Sequence, residues 1–223
     1  MDYEIIRSFT KPLHIFIGGI ILLSGLLQLL LPKHGKRHRF LGQLYFWCMI
    51  LSFLTAFPSS IIDKQYFLAI VGLFSLYLSF TGGRFAILKS SQPLSLFDRV
   101  GLLFFFVSSL LMAAFAIFLL AKGSASGGLV VGVFAIIFCS GTFRDLYYVF
   151  IVKKPELMYG GMNWLFNHIG RIIGSYIAAI TAFLVNVQPF GSHVVNWLLP
   201  TLLGSFLIAS YLKKYKARYK SPI

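Results

Sequence analysis

Seven apolar runs divide this chain, at about 12–31, 38–57, 64–88, 96–121, 129–152, 163–187 and 194–212, with only short polar turns between them. That pattern leaves few folds open. About 20 apolar residues, each rising about 1.5 Å along a helix, cross about 30 Å of hydrocarbon. Composition agrees: 58% of the residues are hydrophobic and 12% are charged, whereas a water-facing surface needs roughly a quarter charged. The expectation is an all-α polytopic membrane helix bundle of seven transmembrane helices forming one integral membrane domain, with a basic tail over 213–223.

The net charge of +14 would suit a nucleic-acid partner, but these charges sit in short loops between apolar runs, so no nucleic acid is expected. Of the 20 Lys and Arg residues, Arg7, Lys11, Lys64 and Lys122 fall on one side of the alternating spans and all the others on the opposite side. By the positive-inside rule the N-terminus lies outside and the C-terminus in the cytoplasm. An even number of spans would break the alternation. The Lys213–Lys220 tail is expected on anionic lipid headgroups, at about 1 kcal/mol per basic residue. The start of the chain has no basic leader followed by a short apolar core and a cleavage site, so the first run is expected to stay in the mature chain.

Local signals place the turns. Pro12 suits a first helical turn, Pro58 ends the second span, and Asp63 can cap the third. Ser95-Leu96-Phe97-Asp98 has the spacing of a capping box, which makes Asp98 a helix-end residue rather than a catalyst. Lys153-Lys154-Pro155-Glu156 breaks the fifth span, and Pro200 is expected to kink the seventh. Two stripes of small and polar residues, His14-Gly18-Ile21-Gly25-Gln28 and Gly170-Gly174-Ala178, read as helix-packing surfaces. Cys48 and Cys139 lie inside apolar runs without Cys-x-x-Cys spacing, which argues against a disulfide framework or thiolate metal site.

Depth separates the charges that can carry chemistry from those at helix ends. Arg144 and Asp145 lie about 12 Å inside the fifth span, and Arg171 lies about as deep in the sixth, counting about 1.5 Å per residue. A charge at that depth costs at least about 2.5–3.5 kcal/mol unless paired or hydrated, so Asp145 is expected to pair with Arg171 or Arg144. His168 shares a helical face with Arg171. His38, Gly42, Tyr45 and Met49 form a stripe on the second span, with Arg39 beside it. Arg84 follows Thr81-Gly82-Gly83, where a backbone or ligand can approach closely. The candidate ligand-binding set is His38, Arg39, Arg84, Arg144, Asp145, His168 and Arg171, converging on one cytoplasmic-side pocket. Arg39 and Arg84 also suit snorkelling to headgroups. His34 and His38 have i, i+4 spacing, but Gly35 and the loop setting argue against a metal pair.

The chain lacks paired carboxylates, His-Glu-x-x-His, a Gly-rich phosphate loop and a Gly-x-Ser-x-Gly elbow. With six acidic residues in all, a hydrolase is poorly supported.

His14 with Gly18 and Gly25, a basic turn, and then His38-Arg39-Phe40-Leu41-Gly42-Gln43-Leu44-Tyr45 resembles a bacterial family of predicted multi-spanning membrane proteins of unknown function. Its members carry a His-Arg-x-x-Gly-x-x-Tyr motif at the start of the second span. Thr81-Gly82-Gly83-Arg84 and the stretch from Asn167 and His168 through Arg171 to Ala179 are similar to that family too. The resemblance supports grouping His38, Arg84, His168 and Arg171, without implying a reaction; the expected location is the inner membrane of the cell.

Three functions fit. The arginine excess around one Asp suits binding or transport of a small anionic ligand or lipid headgroup. A b-type haem held between His38 and His168 would make a membrane redox protein, although His38 sits at the membrane edge. A structural or assembly role needs no small ligand.

Overall fold

The computed structural model describes residues 3–33, 35–88 and 93–220, with side chains described from Ser8 to Arg218. His34, Lys89 and the last three tail residues lie outside the described residues. The described chain is mostly helical: α1 Tyr3–Leu30, α2 Lys36–Ile62, α3 Tyr66–Leu88, α4 Leu96–Ala121, α5 Ala125–Leu146, α6 Glu156–Tyr159, α7 Asn163–Val187 and α8 His193–Lys220. Among the described residues, seven of these are long and apolar enough to cross a membrane. Large apolar side chains remain exposed around the perimeter, among them Phe16, Trp47, Phe104, Ile136 and Phe206. So much apolar surface is intolerable in water and suits acyl chains.

Several helix ends differ from the expectation. α1 begins at Tyr3, well before Pro12, and α8 continues through the basic stretch to Lys220. Hydropathy marks where lipid is, not where a helix stops. Pro58 lies inside α2, which runs on to Ile62. Asp63 caps the C-terminal end of α2, its backbone N–H donating to Ser59 O at 2.8 Å, instead of the start of α3. The basic turn before α2 uses Gly35 at φ +97°, a region that glycine enters without steric penalty. Beyond α5 the backbone widens into a π-helical segment, Tyr147–Ile151, with Val152 N–H donating to Tyr147 O at 2.9 Å.

The Ser95–Asp98 capping box forms as expected. Asp98 N–H donates to Ser95 Oγ at 3.2 Å, and Ser95 N–H donates to Asp98 Oδ2 at 2.9 Å.

α3 and α7 pack against each other at the centre of the bundle. α3 also meets α2, α4 and α5, whereas α7 also meets α1 and α8. Glycine makes the central contact possible. A Cβ on Gly82 would stand 2.9 Å from Arg171 Cβ, so the backbones of α3 and α7 approach closely there. An aromatic core fills the space among α3, α4, α5 and α8: Phe74 and Phe138 centroids are 5.3 Å apart, Tyr77 and Phe105 5.5 Å, and Phe67 and Trp197 4.5 Å. Tyr211 of α8 donates to Leu29 O of α1 at 3.3 Å, and Lys216 stands over the Phe166 ring of α7. These contacts gather the basic helix ends at one end of the bundle.

Candidate functional site

Tyr77, Thr81 and Phe85 recur every four residues and line one stripe of α3. Facing them, α5 contributes Asp145 and α7 contributes Arg171, and the three helices meet at a fully formed ion pair. Arg171 Nη1 donates to Asp145 Oδ2 at 2.8 Å and Nη2 donates to Oδ1 at 2.6 Å. This is the two-pronged guanidinium–carboxylate geometry that makes charge-assisted bonds strongest. Tyr77 Oη donates to Asp145 Oδ2 at 2.8 Å, while Arg171 Nη1 also reaches Thr81 Oγ1 at 2.6 Å and Tyr77 Oη at 3.1 Å. The guanidinium carbon lies 4.6 Å from the centroid of Phe85 and 5.2 Å from that of Tyr77, close enough for cation–π attraction. Asp145 is 0% exposed and Arg171 5%. Arg171 Nε makes no hydrogen bond among the described residues.

The expected pairing of Asp145 with Arg171 is therefore present. Arg144 occupies the flank: its Nη2 stands 3.7 Å from Asp145 Oδ1 and donates to Asn167 Oδ1 at 2.7 Å, with its side chain 49% exposed. Asn167 is in turn fixed by donating to Met158 O at 2.7 Å, so α6 braces the start of α7. His168 Nδ1 lies 2.8 Å from Gly82 O, tying α7 to the paired glycines of α3.

Arg84 turns away from this centre. Its Nε and Nη2 donate to Asp98 Oδ1 and Oδ2 at 2.7 and 2.9 Å, joining α3 to the capping box of α4. His38 is half-buried and Arg39 exposed, both in the first turns of α2. The structure thus brings together Asp145, Arg171, Arg144 and His168 on the α3–α5–α7 contact, binds Arg84 to Asp98, and leaves His38 and Arg39 on α2. Tyr45, on the same stripe as His38, shares a 2.8 Å hydrogen bond with Ser175 of α7.

Tyr77, Thr81 and Asn167 belong to the site although the sequence pattern does not single them out as ligands. The one signal Tyr77 and Thr81 carry is a pair of hydroxyls four residues apart on an apolar run, and a buried hydroxyl is expensive to leave without a partner. A second polar seam runs alongside, where Ser109 of α4 and Thr142 of α5 share a 3.0 Å hydrogen bond and Cys139 Sγ donates to Ser109 O at 3.3 Å.

What these parts define is an all-helical bundle with seven membrane-length helices, clamped at its centre by a buried ion pair. Comparison with protein-family models, curated proteins and solved structures found no match, so the family resemblance rests on the quoted motifs alone.

Proposed function

We propose that this is a multi-pass protein of a bacterial inner membrane, its N-terminus outside and its basic end in the cytoplasm. At that end it binds a small anionic ligand or lipid headgroup, and its seven spans suit it to carrying one. The Lys and Arg bias supports the sidedness. Arg144 supports the ligand. Asp145 is already paired with Arg171, so Arg144 is a surplus cation beside a neutralised carboxylate, half exposed and oriented by Asn167. Its remaining N–H donors suit the oxygens of a carboxylate or phosphate. In this reading Arg39 and His38 extend the same basic surface, His168 and Arg84 frame it, and the Asp145–Arg171 pair holds the helices in register. The tail through Lys213, Lys214 and Lys216 lies on anionic headgroups.

Thermal unfolding of the purified protein in neutral detergent, with inorganic phosphate or phosphatidylglycerol added, tests this. Ligand at about 100 times its dissociation constant stabilises by about 2.7 kcal/mol. One of the two probes is expected to stabilise wild type and not Arg144→Gln, and which of them does so separates free phosphate from lipid. Equal stabilisation of both proteins, or none of wild type, refutes the reading.

One observation favours a second reading. Because Gly82 O can only accept, His168 Nδ1 carries the proton, which leaves the Nε2 lone pair in the arrangement a metal-ligating imidazole adopts. A b-type haem between His168 and His38 would give a visible band that shifts on reduction. A colourless preparation removes this alternative.

A further inference from the structure

At the end of the bundle opposite the basic tail, α1, α2, α3 and α7 line a half-open hollow of about 700 Å³. We propose that it binds a lipid-soluble molecule carrying a hydroxyl group, the hydroxyl donating to His14 Nε2. This site is separate from the basic end and does not depend on what binds there.

The hollow exists because its walls are small. Gly18, Gly19 and Ala182 line it, and a Cβ added to either glycine would meet nothing within 4 Å. Its size falls within the roughly 300–1,000 Å³ of small-molecule sites. Most of the wall is apolar; Lys11, Asp63, Gln65 and Asn186 supply polar groups near the ends of the spans, and deeper in the bundle His14, Ser52 and Thr55 form a polar strip on the same space.

Hydrogen bonding within that strip fixes the histidine. His14 Nδ1 lies 3.2 Å from Ser52 O and 3.3 Å from Thr55 Oγ1. Ser52 Oγ is a third oxygen at 3.3 Å, but the nearest of the three is the carbonyl, which cannot donate, so Nδ1 carries the proton. Thr55 agrees, because its own hydroxyl hydrogen is directed to Leu51 O at 2.9 Å or Ser52 O at 3.0 Å, leaving Oγ1 free to accept. In the neutral ring Nε2 is then a bare acceptor, and it makes no hydrogen bond among the described residues. An acceptor in a largely apolar hollow is costly until a donor reaches it. An apolar body with a hydroxyl supplies both the donor and the shape. An acyl chain fills the volume without satisfying the nitrogen.

The test uses the protein in phosphatidylcholine nanodiscs, with 1-pyrenemethanol and its methyl ether as probes and protein-free nanodiscs as background. Wild type is expected to bind the alcohol saturably and about tenfold tighter than the ether, the usual worth of one hydrogen bond. His14→Phe should erase that preference. Gly18→Leu should abolish binding of both probes without lowering the melting temperature, and Ala182→Leu serves if Gly18→Leu does not fold. Equal binding of alcohol and ether to wild type, the result an acyl-chain site would give, overturns the proposal. So does the absence of saturable binding, or unchanged binding in the filled variants.

Discussion

Removing one member of the Asp145–Arg171 pair should destabilise the bundle more than removing both. Asp145→Asn leaves the Arg171 guanidinium 5% exposed with a neutral partner in place of a carboxylate. Two charge-assisted bonds and the donation from Tyr77 are weakened together. In water-soluble proteins, breaking a buried pair on one side costs about 3–5 kcal/mol. Membrane hydrogen bonds average only about 0.6 kcal/mol, because the unfolded chain in lipid also finds partners. The ionic term decides between these figures. An unpaired arginine within the bilayer costs at least about 2.5 kcal/mol even on the mildest scale, so the expected loss is about 2.5–5 kcal/mol. At about 2–4 °C per kcal/mol for a chain of this size, that is a fall of roughly 5–20 °C in melting temperature.

Asp145→Leu with Arg171→Met removes both charges and keeps most of the volume. Thr81 retains its own bond to Tyr77 O at 2.6 Å, and Tyr77→Phe removes the one hydroxyl left stranded. The triple variant should be more stable than Asp145→Asn by at least about 2 kcal/mol, since replacing both members of a buried pair is often neutral or better. Reversible unfolding in mixed micelles, followed by near-ultraviolet circular dichroism, compares both variants with wild type. A single variant within about 0.5 kcal/mol of wild type would refute the assignment of the pair as the central clamp. So would a triple variant less stable than the single.

Four other outcomes follow from the structure. Gly25→Ala should cost about 1–3 kcal/mol, because a Cβ there would collide with the Tyr176 ring and disturb its 3.0 Å bond to Leu22 O. Gly18→Ala, on the same helix but facing open space, should instead be neutral or gain up to about 1 kcal/mol of helix propensity, and thermal melts of the pair check the sign. Tyr159 is 1% exposed and its hydroxyl has no partner among the described residues, so Tyr159→Phe should be neutral or stabilising by up to about 1 kcal/mol; a clear loss would mean the hydroxyl is satisfied. Lys33 donates to Gln28 O and, at 2.7 Å, to Leu29 O, closing the end of α1. Burial, and then the nearby charge of Lys214, push its ammonium below the usual lysine range. The unfolded chain therefore binds more protons in the alkaline window between the lowered value and the ordinary one, and stability contributed by this group rises with pH there. Comparing wild type with Lys33→Met across that window isolates the rise.

Much of the architecture is legible in the order of residues, because lipid imposes one strong rule on apolar length. The same energetics make the Asp145–Arg171 pairing legible: an acid and a base at matching depth on neighbouring runs have more to gain from each other than from any other partner. The Ser95–Asp98 box is legible because it is a local motif, but its link to Arg84 is not, since that bond spans two helices. Tyr77 and Thr81 pass for ordinary members of an aromatic span until Arg171 is placed beside them. The π-helical turn after Asp145 is a property of backbone packing that residue type does not announce.

The stripe His14, Gly18, Ile21, Gly25 and Gln28 shows where such reading stops. Small residues on one helical face say that something can come close, not whether anything does. At Gly25 the space is taken by Tyr176, and Gln28 donates to Leu41 O of α2 at 3.3 Å. At Gly18 no atom arrives, and the same face opens into the hollow beside His14. One stripe thus serves as a packing surface in one half of the bilayer and as a cavity wall in the other. The difference comes from α7, which presents Tyr176 to α1 near the basic end and the small side chains of Ala178, Ala179 and Ala182 towards the opposite end. The volume at His14 is therefore set jointly by two helices far apart in sequence. Filling it from either side, by enlarging Gly18 or Ala182, should have the same consequence for binding.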